Sequence, residues 1–228
     1  PSSATSMYNI AVGHNAGKSV TTGTENTLIG GLAGDALTVA FYNVAVGYAS
    51  LSNDLKGMRS VAIGHSALTA QQFGGSTNVY NTAVGDSAGA AITTGIQNTL
   101  IGGLAGDALT DADFNIAIGY QALTADTLGS ATVAIGRSAL QNQNFTSATN
   151  TFNTAVGHNA GESVTTGINN TLIGGLAGNA FTDANNNVAI GYLALSADLE
   201  GGNTVAVGAN ALKLQNVADG ISTYNVAV

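Results

Sequence analysis

A single glycine recurs through this chain at positions 13, 30, 47, 64, 85, 102, 119, 136, 157, 174, 191 and 208, and no other feature limits its fold so strongly. Successive gaps are 17, 17, 17 and 21 residues, and that series repeats without error. Its sum is 72, which divides the chain into one array of three super-repeats, 13–84, 85–156 and 157–228. A period this short describes a small supersecondary unit that buries its apolar face only by stacking on copies of itself. The first twelve residues, ending Tyr8-Asn9-Ile10-Ala11-Val12, match the last twelve, ending Tyr224-Asn225-Val226-Ala227-Val228. The chain therefore starts and stops at one phase, as a piece of a longer array would.

Aligned on that glycine, the twelve units show their chemistry. One place before it stands Val or Ile (Val12, Ile29, Val46, Ile63), and three places before it a β-branched residue (Ile10, Thr27, Val44, Val61). Between the two is Ala, or Leu in the second unit of each super-repeat (Leu28, Leu100, Leu172). Branched, small, branched with period two is a short strand. The pattern predicts the Ile10-type and Val12-type residues inward, and the Ala face (Ala11, Ala45, Ala62) outward at a contact between chains. Recurrent Gly and the lack of any 3.6-residue pattern exclude helix.

Asn stands four places before Gly in nine of the twelve units, with Ser60, Thr132 and Thr204 in the others. Asn at a fixed corner either stacks in an amide ladder or serves as a plain turn former. Ala lies three places after Gly in eleven units, followed by Gly, Gly, Leu, Leu in order through each super-repeat (Gly17, Gly34, Leu51, Leu68). A second short strand is expected at Ser19–Thr22 and at its copies Ala91–Thr94 and Ser163–Thr166. The recurring Gly is expected to supply a positive φ or a close backbone approach. The four extra residues of every fourth unit should bulge outward, around Gln72–Asn78 and Gln143–Thr149.

Together these readings predict an all-β fold, a parallel β-solenoid of about twelve rungs of 17 residues. At about 4.8 Å per rung the array would be a rod roughly 58 Å long. A rung that thin buries few side chains against the entropy of ordering it, so association of several chains along their length is expected.

The composition narrows function by exclusion. Five Lys+Arg against 13 Asp+Glu, a formal charge of -8, leaves no basic stripe for phosphates, so nucleic acid is not an expected partner. No run of 18 apolar residues exists, which argues against membrane insertion, and no export signal is visible near Pro1. The absence of Cys removes disulfides, thiolate metal sites and cysteine nucleophiles.

Ser60-Val61-Ala62-Ile63-Gly64 and Thr132-Val133-Ala134-Ile135-Gly136 resemble the S-V-A-I-G repeat of the YadA-type head of trimeric autotransporter adhesins. The variants at Asn81 to Gly85 and Asn98 to Gly102, with Thr93-Thr94-Gly95 between them, look still more like repeats of bacteriophage tail-fibre proteins. The resemblance covers essentially the whole chain. It implies a left-handed parallel β-roll, three chains side by side as a trimeric fibre, and a stalk or head that touches other cells. The 17, 17, 17, 21 cadence is longer than the usual adhesin repeat.

Candidate sites are sparse. Catalysis needs unlike groups brought together, whereas every Ser, His and Asp here sits inside the periodic pattern, so the chain is read as no enzyme and no cofactor is expected. His14 and His158 occupy equivalent places, but their third equivalent is Asp86. Asp107, Asp111 and Asp113 cluster like a Ca²⁺ loop, yet their copies do not keep the carboxylates, and no metal is assigned. Tyr48, Tyr120 and Tyr192 form a column just after the glycine, a candidate glycan contact whose plainer reading is packing. Tyr8, Tyr80, Phe152 and Tyr224 form another before the Asn.

The expected function is the structural shaft of an extracellular host-attachment fibre on a virion tail, a homotrimer holding a tip that contacts a host-surface glycan or protein. The alternative is a head or stalk segment of a bacterial surface adhesin. An ice-binding solenoid would need a Thr ladder in consecutive rungs, which fails because Val44 and Val61 follow Thr27.

Overall fold

The computed structural model describes residues 7–217 and 220–228, which form two compact units, Pro1–Asp113 and Phe114–Val228. Each unit is a parallel β-solenoid. In the first, the strands Ile10–Val12, Thr27–Ile29, Val44–Val46, Val61–Ile63, Thr82–Val84 and Thr99–Ile101 stack in chain order. Their register follows the glycine alignment, with Ala45 opposite Ala62 and Ala62 opposite Ala83. The second unit repeats the arrangement with Ile116–Ile118, Val133–Ile135, Thr154–Val156, Thr171–Ile173, Val188–Ile190, Val205–Val207 and Val226–Ala227.

The faces of these strands are reversed from the sequence expectation. Ala45, Ala62, Ala83, Ala134 and Ala155 are wholly buried, whereas Ile29, Ile63 and Ile173 keep 38% of their surface exposed. The reason is the depth of the coil. A Cβ built on Gly17 would stand 3.9 Å from the Ala11 Cβ across the interior and 2.7 Å from Leu28 Cδ1. That space holds one row of side chains, so a branched residue on both walls does not fit, and the small residue goes inside.

The same limit explains the Gly, Gly, Leu, Leu series. Where the strand centre is Leu28, Gly17 and Gly34 leave room for it, and a Cβ on Gly34 would lie 2.8 Å from both Leu28 Cδ2 and Leu37 Cδ1. Where the strand centre is Ala45 or Ala62, Leu51 and Leu68 come in from the turn and are fully buried. These leucines hold φ near 50°. A left-handed conformation costs a non-glycine residue about 1–2 kcal/mol, which burying a Leu side chain, at about 1.5–3 kcal/mol, offsets.

The repeated strand-end glycine satisfies both of its expected roles. Gly47 has φ 134°, and a Cβ there would lie 2.3 Å from the carbonyl oxygen of Gly64 in the next turn. The Asn column is likewise both ladder and turn former: Asn26 Oδ1 accepts the Asn43 N–H at 3.1 Å, and Asn26 Nδ2 donates to the Ala40 carbonyl at 2.9 Å.

A second strand at Ser19–Thr22 does not form, and its copies are also turn or irregular structure. Thr21 N donates to Thr38 O in the next turn at 2.9 Å, but the neighbouring Val20 N turns back to Gly17 O at 3.0 Å, so no continuous ladder builds up. Short strand pairs arise instead at Gly57–Met58 with Thr77–Asn78, and at Gly129–Ser130 with Thr149–Asn150. The longer loops bulge outward at Gly74–Ser76 and Thr146–Ala148, which are exposed. Gln143, Phe73 and Phe145, within or beside the expected bulges, are instead buried anchors.

Candidate functional surface

Every fourth turn holds a buried polar cluster. Asp54 is fully buried; its Oδ1 accepts the N–H groups of Gly57 and Phe73, each at 3.0 Å, and its Oδ2 accepts Gln71 Nε2 at 2.6 Å. Gln71 Nε2 also reaches Ser60 Oγ, and Gln71 Oε1 accepts Asn81 Nδ2 at 3.0 Å. Gln71 thus supplies the amide that the Asn column lacks at Ser60. The cluster recurs, buried, as Asp126, Gln143 and Asn153, and in a more open form as Asp198, Gln215 and Asn225, with Asn225 exposed. A Cβ on Gly57 would lie 2.1 Å from Asp54 Oδ2, so the glycine makes way for the carboxylate. This is internal scaffolding for the 21-residue turn. Its signal in the sequence is the recurrence of Asp54, Asp126 and Asp198 at the 72-residue period.

Outside, each unit presents a flat strip of β-branched side chains, among them Val44, Val46, Val61 and Ile63 in the first unit and Val133, Ile135, Thr154 and Val156 in the second. Two side-chain columns flank it, because the residues just before the Asn and just after the Gly project at its two edges. After the glycine, Tyr48 stacks on His65 with centroids 5.7 Å apart and planes at 13°, and its other side lies over Gly31. His65 Nδ1 is 3.2 Å from Asp86 Oδ1. In the second unit Tyr192 lies over Gly175, Tyr120 is half exposed, and Arg137 Nη1 is 3.2 Å from His158 Nε2. Tyr48 therefore offers a sugar its edge and hydroxyl rather than a free ring face.

At the opposite edge, Arg59 lies between two tyrosines of the neighbouring turns. Its guanidinium carbon is 4.6 Å from the Tyr42 ring centroid and 5.9 Å from that of Tyr80, and its Nε donates to Asn78 Oδ1 at 3.0 Å. All the residues of this column, including Tyr42, Arg59, Tyr80, Phe114, Ala131 and Phe152, have φ between 50° and 65°. Their fixed backbone sends the side chains out in parallel.

The other candidates serve their own turns. Thr94 Oγ1 donates to Asp111 Oδ1 and the Ile96 N–H donates to Asp113 Oδ1, each at 2.7 Å. Among the described residues, no three His, Cys, Asp or Glu side chains are grouped so as to hold a metal, and no pocket is present. His14 is exposed. Among the described residues, no helix is long and apolar enough to cross a membrane.

The fold and surface define a repeat protein of the parallel β-solenoid class. No protein-family model, curated protein or solved structure matches the chain.

Proposed function

We propose that the chain is the structural shaft of an extracellular host-attachment fibre of the virion tail-fibre kind, working as a homotrimer with the β-branched strips turned toward a common axis. The carrying observation is that strip: it recurs turn after turn, half-exposed in the single chain. Soluble proteins rarely leave an apolar strip of that kind uncovered unless something binds there. A second copy is the natural occupant, because an identical cadence matches the strip turn for turn. The contact is therefore not the Ala face, which is interior. Recognition of a host glycan or protein is assigned to a tip beyond these residues, since three near-copies of one surface do not assemble the unlike groups of a specific site.

The resemblance to adhesin heads supports a second reading, a segment on a bacterial surface. Immunogold labelling with antibodies to the purified chain separates the two. Decoration of fibres on virus particles from the source culture is the expected result, and labelling of intact cell envelopes alone would support the adhesin.

A further inference from the structure

The 72-residue period supplies an internal template for an unfilled site. In the first unit Tyr42, Arg59 and Tyr80 form a ring, guanidinium, ring sandwich, with Asn78 holding the Arg59 Nε. The equivalent residues in the second unit are Phe114, Ala131, Phe152 and Asn150. Both rings are present and more than half exposed, at 52% and 60%, and Asn150 is exposed as well. Only the guanidinium is missing. Two turns of the coil separate the rings, about 9.6 Å, which matches the 4.6 and 5.9 Å on either side of Arg59. The slot between Phe114 and Phe152 is therefore shaped for a planar cation on two aromatic faces, with an amide oxygen at its side.

We propose that this slot is filled by Arg137 of a second copy of the chain. The inference rests on the trimer proposed above and adds a specific contact to it. Arg59 and Arg137 are the only two arginines in the sequence, and Arg137 stands in the same turn as Ala131, just past its glycine. The two residues flank the β-branched strip on opposite edges. When strips face a common axis, the leading edge of one copy meets the trailing edge of the next. Copies related by rotation lie at equal height, which sets Ala131 of one against Arg137 of its neighbour. Arg137 is exposed, and its Nη1 lies 3.2 Å from His158 Nε2, a weak anchor for a cation.

The three copies of the motif vary together as this pairing requires. Where Arg59 fills the slot from its own chain, the residue across the strip is His65, already tied to Asp86. Where the slot has its rings but no guanidinium, the residue across the strip is Arg137. In the last copy, Asn186, Asn203 and Tyr224 provide no ring pair, and the residue across the strip is Ala209.

The chain has no cysteine, so one introduced pair reports the contact directly. Within one chain, residues 131 and 137 lie at the two ends of an extended segment, about 20 Å apart, whereas an Arg137 side chain seated in the slot sets the Cα atoms of neighbouring copies about 10 Å apart, beyond a disulfide but within reach of a short bifunctional thiol reagent. Treatment of the Ala131→Cys, Arg137→Cys double variant of the full chain with a short bismaleimide should therefore give covalent dimers and trimers on a denaturing gel, with neither single variant doing so. Sedimentation of the unaltered chain is run alongside. A trimer that fails to cross-link overturns the Arg137 contact and leaves the trimer standing; a monomer overturns both. As a second measurement, Arg137→Ala should weaken the trimer at least fivefold in dissociation constant, and the loss should vanish when Phe114 and Phe152 are already Ala. An undiminished Arg137 effect in that background would also overturn the proposal.

Discussion

At the scale of single residues, this chain depends on positions where the identity of one atom decides the outcome. Asp126 is an acceptor only, so it sets the direction of the amide chain that runs through Gln143 to Asn153. Asp126→Asn would point an NH₂ at the Gln143 NH₂, or turn Gln143 over and pass the mismatch to Asn153. A buried donor left without an acceptor costs about 1–3 kcal/mol. We expect a loss of that size in urea unfolding of Asp126→Asn, with no such loss for Glu162→Gln, which lies outside the cluster. Gly47 is a backbone counterpart: Gly47→Ala would drive a methyl into the Gly64 carbonyl at φ 134°. The cost is on the order of 3 kcal/mol from strain and displacement of the next turn.

At the scale of the element, a strand here is two or three residues long and is held by its neighbours in adjacent turns. Its interior is one side chain deep, so volume is conserved between strand and turn: Leu28 goes with Gly17 and Gly34, and Ala62 with Leu68. Ala62→Leu alone should overpack the turn and cost about 1–3 kcal/mol, measured by the urea midpoint at unchanged slope. Combining it with Leu68→Gly restores the volume balance of the second turn. The double variant should recover at least half of the loss, and failure to recover would refute the exchange.

At the scale of the whole molecule, the low charge, 8% of residues and -8 net, gives the surface little to repel a second copy. The β-branched strip is the surface on which the proposed homotrimer would associate. Ile63→Asp and Ile135→Asp place a carboxylate on that strip, one in each unit, where a single chain leaves it in water. Far-ultraviolet circular dichroism of the variants should match that of the parent, while sedimentation should shift from trimer to monomer. Ala62→Glu, by contrast, buries its charge inside the coil and should unfold the chain, with several kcal/mol lost. Parent-like folding of Ala62→Glu would mean that the faces are assigned wrongly.

The spacing of glycines determined the parallel stack, its register and its long turns without any coordinates, because a period of 17 residues permits pairing only between equivalent positions. The Asn column, the positive φ of the strand-end glycine and outward loops around Gln72–Asn78 and Gln143–Thr149 followed from the same arithmetic, while the burial of Phe73, Gln143 and Phe145 inside those loops did not. Which strand face is interior did not follow. Alternation distinguishes two faces but does not name them, since both Ala and Val are apolar, and the choice falls to the space left between opposite walls. Only the packed coil shows that this space admits Ala62 and not Ile63. The tertiary structure likewise decided that Ser19–Thr22 makes no strand, that Asp54 goes inside and that Arg59 lies between two tyrosines. Each of these depends on a distance across turns, and a linear pattern of residue types does not contain it.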